Sequence, residues 1–206
     1  MTVSISESAV IALAACLVGL VSFSMFDGDG VIISCILGWA MLATAASDAK
    51  RFIIPDALSL PAIPLGLLAT YLTNEMAVAS QAVLEHTIAA AAASALLWLI
   101  RRAYYFFRQT QGLGLGDVKL GAVAGAWLGM QGAINALLLT CIMALAYAVG
   151  STLLTGRPLT RTSVLPLGVF LAPAIWIGWC VADLNAPASI DEVGSSVHLI
   201  VPAPIG

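Results

Sequence analysis

Seven apolar segments, separated by short polar connectors, follow one another along the 206-residue chain. A helix needs about 20 residues to cross a lipid bilayer, and most of these segments come close to that length. The fifth is the exception at about 13 residues, so it must be tilted, half-inserted or extended by its neighbours. The segments cover residues 8–26, 31–47, 57–73, 82–107, 117–129, 133–154 and 165–182. The pattern predicts an all-α polytopic membrane protein with about seven transmembrane segments.

The composition agrees with this fold class. Hydrophobic residues make up 61% of the chain and charged residues only 9%, whereas soluble domains carry roughly 25% charge. The mean hydropathy is +1.02, so lipid must cover most of the surface. A net charge of −3 is too small to indicate a nucleic-acid partner. We expect one transmembrane domain over residues 1–183 and a loosely ordered outer tail over residues 184–206.

The basic residues predict the orientation in the membrane. All eight lie in or beside the connectors that follow segments two, four and six, which share one side if the chain crosses seven times. The positive-inside rule makes that side cytoplasmic, with the N-terminus inside and the C-terminus outside. Six crossings with a re-entrant fifth segment would move Arg157 and Arg161 to the other side. The eight residues are Lys50, Arg51, Arg101, Arg102, Arg108, Lys119, Arg157 and Arg161.

Two carboxylates stand at the predicted cytoplasmic boundary, Asp48 after the second segment and Asp117 before the fifth. Ionisable residues at such positions are costly and are therefore functional candidates. The two are 117 − 48 = 69 positions apart and meet only if their helices pack together. Two close carboxylates share a proton, so the ionised one takes a proton from water while the protonated one polarises a carbonyl. This is the chemistry of aspartic proteases, which uses neither a metal nor a nucleophilic side chain.

A structural role for each aspartate is the alternative. Asp48 has Lys50 and Arg51 beside it, and Asp117 is placed to cap the fifth helix. The loop before Asp117 argues for more than a cap, because Gly114 and Gly116 lack a Cβ and let the backbone approach an extended peptide.

Three blocks of the chain resemble the type IV prepilin peptidases, membrane aspartic proteases with a Gly-x-Gly-Asp motif. Residues 114–129 (GLGDVKLGAVAGAWLG) resemble the family signature. Residues 47–61 (SDAKRFIIPDALSLP) resemble the block that carries the family's first aspartate. Residues 165–172 (LPLGVFLA) resemble, more weakly, a block in the family's last span. The resemblance implies that Asp48 and Asp117 are catalytic and that Gly114 and Gly116 are loop glycines that support the substrate. Lys119 falls on a basic family position, although snorkelling at the interface also accounts for it.

The same resemblance implies a substrate, a location and partners. Family members cut pilin-like precursors, which carry a short basic leader before an apolar helix, at the cytoplasmic face of the inner membrane and just after a glycine. Pilus or secretion assembly machinery would be the further partner. Long members carry two zinc-binding CxxC pairs and methylate the new N-terminus with S-adenosylmethionine. No CxxC pair or methyl-donor motif occurs here, so we expect a short form without a metal, and methylation with that cofactor stays an open alternative.

Two other functions compete with this one. A Gly-x-Gly-Asp protease of other signal or transmembrane peptides would use the same residues on different substrates. A small proton-coupled transporter would use Asp48 and Asp117 as a relay, but it predicts carboxylates at mid-membrane depth and a repeat between the halves of the chain. Among lesser candidates, we expect Asp56 to start a helix rather than support the site, and Glu85 and His86 to be an interfacial anchor rather than a polar pair in a cavity.

Overall fold

The structure, a computed structural model, describes residues 5–109, 112–155 and 166–184. All regular structure within these ranges is helical, which confirms the all-α class. Five helices are long and apolar enough to cross a membrane, and the last is a shorter apolar helix. Arg157, Arg161 and the predicted tail beyond residue 184 lie outside the described ranges. The helices are α1 (Ile5–Met25), α2 (Asp29–Arg51), α3 (Asp56–Thr73), α4 (Met76–Arg108), α5 (Leu115–Thr155) and α6 (Gly168–Leu184).

Helix α5 is two helices joined at Gly129, whose φ of 66° is not helical. Trp127 contacts Trp179 with ring centroids 5.4 Å apart, and Tyr147 contacts Phe170 at 5.7 Å. Twenty residues of straight helix would separate Trp127 from Tyr147 by about 30 Å, yet their partners on α6 are only about 13.5 Å apart. The second half of α5 therefore runs back along α6. The predicted fifth and sixth segments are thus two antiparallel helices that meet at Gly129. This arrangement agrees with seven crossings, and the number of crossings stays a prediction.

His86 of α4 ties the bundle together beside this turn. Its Nδ1 lies 3.0 Å from the Ala126 carbonyl oxygen and 3.1 Å from Thr70 Oγ1. A carbonyl can only accept, so Nδ1 carries the proton and donates it. His86 also lines a cavity with Glu85. The polar pair in a cavity therefore describes His86 well, while a position at the membrane interface stays a prediction.

The first half of α5 lies in the core of the bundle. Leu120, Val123 and Ala124 are fully buried, and α4 packs so closely that a Cβ on Gly125 would lie 2.3 Å from the backbone nitrogen of Ala90. Small residues allow such close approach of helices in lipid. The fifth segment is short because neighbouring helices surround it, so it need not match the full thickness of the bilayer by itself.

Two helix boundaries differ from the predicted ones. Helix α2 continues three residues past Asp48 to Arg51, and α4 begins at Met76 rather than at residue 82. The predicted connector over residues 74–81 is thus mostly helical, and Gln81 donates a hydrogen bond to Glu85 one turn later. The polar residues Asn74, Glu75, Ser80 and Gln81 predicted a loop here, but the chain is helical from Met76 onward.

Candidate active site

Asp48 lies in the last turn of α2, and its side chain points into the bundle. The helix ends at Phe52, which adopts the left-handed conformation and donates its backbone N–H to the Asp48 carbonyl oxygen at 2.9 Å. Backbone groups therefore cap this end. The Asp48 side chain is only 5% exposed, and its Oδ2 has no hydrogen-bond partner among the residues that the structure describes. A cap at this end does not account for the side chain of Asp48.

Asp117 lies in the first turn of α5 and is also buried, at 8% exposure. Its Oδ2 accepts a hydrogen bond of 3.0 Å from the backbone N–H of Gly114, just before the helix. A carboxylate that reaches back to the residue before the first turn is one half of a capping box. Asp117 therefore does cap α5, as the structural alternative predicted, but only through Oδ2. This hydrogen bond holds the carboxylate in a fixed position.

The two aspartates meet in one cavity of about 200 Å³. They lie close enough for the Asp48 carboxylate to act electrostatically on that of Asp117. The structure therefore brings together the pair that the sequence predicted, at the ends of two helices rather than halfway along them. The other predicted residues also line this cavity, because Gly114, Gly116 and Lys119 contribute to its wall.

Lys119 reaches across the rim of the cavity to Asp56, with which it forms an ion pair. Asp56 is the first residue of α3, as expected, where a negative charge also suits the helix dipole. Both partners keep contact with solvent, so the pair adds little stability. Its evident effect is to hold the start of α3 beside the first turn of α5.

Ile54, which the sequence analysis did not single out, packs between the two halves of the site. A Cβ on Gly116 would lie 2.7 Å from the Ile54 Cβ, and one on Gly168 would lie 3.0 Å from the Ile54 Cδ1. Ser47 Oγ holds the turn by donating to the Ile53 carbonyl oxygen at 2.9 Å. The side chain of Ile54 thus sets how closely the loop before Asp117 approaches the start of α6.

Gly168, the first residue of α6, covers Asp48. A Cβ at this position would lie 2.8 Å from Asp48 Oδ2, and the backbone N–H groups of Gly168 and Val169 face the carboxylate. The weak third motif block supplied the signal for this contact, although we did not predict Gly168 as a site residue. This contact explains how the segment at residue 168, which lies 168 − 48 = 120 positions further along the chain, helps to enclose Asp48.

Arg101 of α4 is a third site residue, after Ile54 and Gly168, that was not predicted from the sequence. Its Nη1 donates a hydrogen bond of 2.6 Å to the Leu113 carbonyl oxygen, and its charge acts on Asp117. In the sequence, Arg101 contributes only to the predicted orientation. In the structure it holds the glycine loop against α4.

The arrangement supplies two buried carboxylates around a small cavity, one anchored by a loop amide and one with an oxygen left unpaired. Such a pair can exchange a proton with a water molecule or a carbonyl group. Within the described ranges, no group of three or more histidine, cysteine or acidic residues is arranged to hold a metal ion.

Comparison with known proteins gives a consistent result. The family model described as "Type IV leader peptidase family" matches residues 35–149, more than half of the 206 residues. Proteins named prepilin leader peptidase/N-methyltransferase match in Aeromonas salmonicida strain A449 (31% identical, covering 80% of this chain and 54% of that protein) and in Dichelobacter nodosus (30%, covering 80% and 54%). A third match, of the same name, is from Aeromonas hydrophila (31%, covering 79% and 54%).

The chain spans about half the length of the curated relatives it matches. No solved structure matches it. The matched region contains both Asp48 and Asp117 together with the glycine loop. On the strength of that match, the chain belongs to the type IV leader peptidase family.

Proposed function

We propose that this chain is a membrane aspartic endopeptidase that removes the basic leader from prepilin-like precursors. One observation carries the proposal: Asp48 and Asp117, 69 positions apart in sequence, are both buried and line one cavity. Burial of two carboxylates in such a small space is costly unless they share a proton. The names of the relatives supply the substrate class.

In the proposed reaction, a water molecule lies between the two carboxyl groups. The ionised aspartate takes a proton from the water as its oxygen attacks the carbonyl carbon of the scissile peptide bond, while the protonated aspartate donates a hydrogen bond to the carbonyl oxygen. Collapse of the tetrahedral intermediate breaks the C–N bond, and the leaving amine receives a proton from the pair. Asp117, fixed by Gly114, supplies the rigid side of this arrangement.

The surroundings of the cavity suit a precursor with a basic leader and an apolar helix. Asp48 and Asp117 keep one negative charge between them when they share a proton, and this charge in the cavity favours a basic segment. Asp56 at the rim is already paired with Lys119. Phe52 and Leu115 also line it and are more than half exposed, at 57% and 56%. These side chains offer an apolar surface for the segment that follows the leader. We infer cleavage at the cytoplasmic face, just after a glycine.

The test is cleavage of a prepilin-like precursor in membranes by the wild type, Asp48→Asn and Asp117→Asn. Each substitution keeps the size of the side chain and removes its charge, so cleavage should fall to background in both. Asp56→Asn is the matched control, because Asp56 lies at the rim of the same cavity but is exposed, and it should retain at least a third of the wild-type rate. Full activity of either buried-aspartate variant would show that the residue is structural.

A protease of other membrane peptides is distinguished by the product. Sequencing of the new N-terminus should place the cut after a glycine that precedes the apolar run. A set of precursors in which that glycine is replaced should resist cleavage. Equal cleavage of unrelated signal peptides would favour the broader protease instead.

Methylation of the product is a separate matter. The relatives are named as N-methyltransferases as well, an activity that requires a methyl donor such as S-adenosylmethionine. The aspartate cavity of about 200 Å³ lies below the roughly 300–1,000 Å³ of typical small-molecule sites, and the proposed reaction does not involve this cofactor. Incorporation of a labelled methyl group into the cleaved product measures this activity directly.

A further inference from the structure

A second cavity, of about 530 Å³, lies beside the loop that carries Asp117. Its wall combines basic and aromatic side chains with one leucine, and Leu115 belongs to this cavity and to the aspartate cavity alike. The two sites are therefore neighbours at the same end of the bundle. The residues that line the larger cavity are Trp98, Arg101, Arg102, Tyr105 and Leu115.

The chemistry of this wall favours an anion. Two guanidinium groups on successive residues of α4 face the cavity, and guanidinium groups match phosphate oxygens through paired N–H donors. Arg101 already donates to the Leu113 carbonyl oxygen and interacts with Asp117. Arg102 is exposed and forms the outer part of the wall, so it provides the main charge for a ligand.

The position of the cavity identifies the kind of anion. Trp98 is 53% exposed and Tyr105 is 41% exposed, and both aromatic types gather where a membrane meets water. Leu99 and Ile100, on the same stretch of α4, are also exposed and form a surface for lipid chains. A ligand held here has its charged group beside the arginines and its apolar part along α4.

We propose that this cavity binds the phosphate headgroup of an anionic phospholipid. Basic pockets between transmembrane helices near the cytoplasmic surface are suited to such headgroups. The proposal concerns binding and does not depend on the peptidase activity proposed above. The site places a lipid headgroup next to the Leu113–Leu115 part of the glycine loop.

The experiment is native mass spectrometry of the full chain in detergent, titrated with phosphatidylglycerol or phosphatidylcholine. Phosphatidylglycerol should be retained more strongly than phosphatidylcholine. Arg102→Gln should weaken its binding roughly tenfold, the loss expected when one charge-assisted hydrogen bond to the headgroup is removed. Arg108→Gln is the matched control, since it removes the same charge from the last turn of α4 outside the cavity, and it should bind like the wild type.

Several outcomes would overturn the proposal. Equal weakening by both substitutions would indicate diffuse surface charge rather than this cavity. Displacement of the lipid by inorganic phosphate or glycerol phosphate at similar concentrations would identify a site for soluble anions. Displacement by S-adenosylmethionine would assign the cavity to a methyl donor.

A second measurement locates the bound lipid. Phosphatidylglycerol with brominated chains should quench part of the tryptophan fluorescence, and Trp98→Phe should remove that part. Quenching that is unchanged in Trp98→Phe would place the lipid elsewhere. The Asp48→Asn variant should bind phosphatidylglycerol like the wild type, so failure of the peptidase proposal and failure of the lipid proposal can be told apart.

Discussion

A single methyl group at Gly168 should disturb the aspartate pair although neither aspartate is replaced. In Gly168→Ala the new Cβ would lie 2.8 Å from Asp48 Oδ2 and 3.0 Å from Ile54 Cδ1. Ordinary contacts begin at 3.4 Å, so the carboxylate must move by about 3.4 − 2.8 = 0.6 Å. Ile54 cannot easily move away from the new Cβ, because it packs against Gly116 on its other side.

The size of the effect follows from the precision that catalysis needs. A displacement of about 1 Å at a reacting group can cost roughly a hundredfold in rate. A shift of about 0.6 Å should therefore lower the rate of precursor cleavage by on the order of ten- to a hundredfold. The protein itself should stay folded, because alanine is a better helix former than glycine.

The assay compares initial cleavage rates in membranes at equal protein level, with thermal stability measured on the purified protein. Gly178→Ala is the control in the same helix, since its Cβ would meet only the flexible end of Leu128 at 3.0 Å. Gly150→Ala, with nothing within 4 Å of the new atom, is the control for glycine replacement in general. If Gly168→Ala cleaves as fast as these two variants, the start of α6 does not position Asp48 and the reasoning is wrong.

Four further predictions concern the supports of the site. Gly129→Ala should lower thermal stability, because its φ of 66° is strained for a residue with a Cβ, and unchanged melting would contradict a fixed turn there. His86→Ala should destabilise the protein by about 1–3 kcal/mol, since it leaves the Ala126 carbonyl without this donor, and denaturant unfolding measures the loss. Lys119→Gln should change stability by less than about 1 kcal/mol, as for exposed ion pairs, and cleavage by less than threefold; a larger loss of cleavage would assign Lys119 a direct role in substrate binding. Chelation with EDTA should leave precursor cleavage unchanged, because the proposed reaction relies on carboxylates, and loss of activity restored by a divalent cation would overturn that reaction.

The sequence predicted the parts of the site that depend on local pattern. Asp48 and Asp117 stand at the ends of apolar runs, and such a position is visible without a structure. The break at Gly129 was also predictable, because the apolar run changes there to a short stretch with glycine and glutamine. Asp48 and Asp117 do meet in one cavity, but the expectation that this requires their own helices to pack together is wrong. In the described residues α2 and α5 do not pack against each other, and α3 and α6, which pack against both, bring the two aspartates together.

The remaining contacts depend on tertiary packing, which no local pattern reveals. Ile54 is one apolar residue among many in a chain that is 61% hydrophobic, and its place between Gly116 and Gly168 arises only when α6 docks. The hydrogen bonds of His86 could not be predicted for the same reason, since its partners Thr70 and Ala126 come from two other helices. Composition gave no means to predict that this half-buried histidine forms hydrogen bonds to two other helices.

Because Gly168 covers Asp48, the site is completed only late in the synthesis of the chain. Ribosomes add roughly 5–20 residues per second, so the 168 − 48 = 120 residues between the two positions take about 6–24 s to synthesise. During that interval the nascent chain holds one aspartate, and later both, without the helix that completes their enclosure. If the proposed function is correct, a nascent chain that lacks α6 is therefore expected to be inert, and precursors are exposed to cleavage only after α6 has inserted.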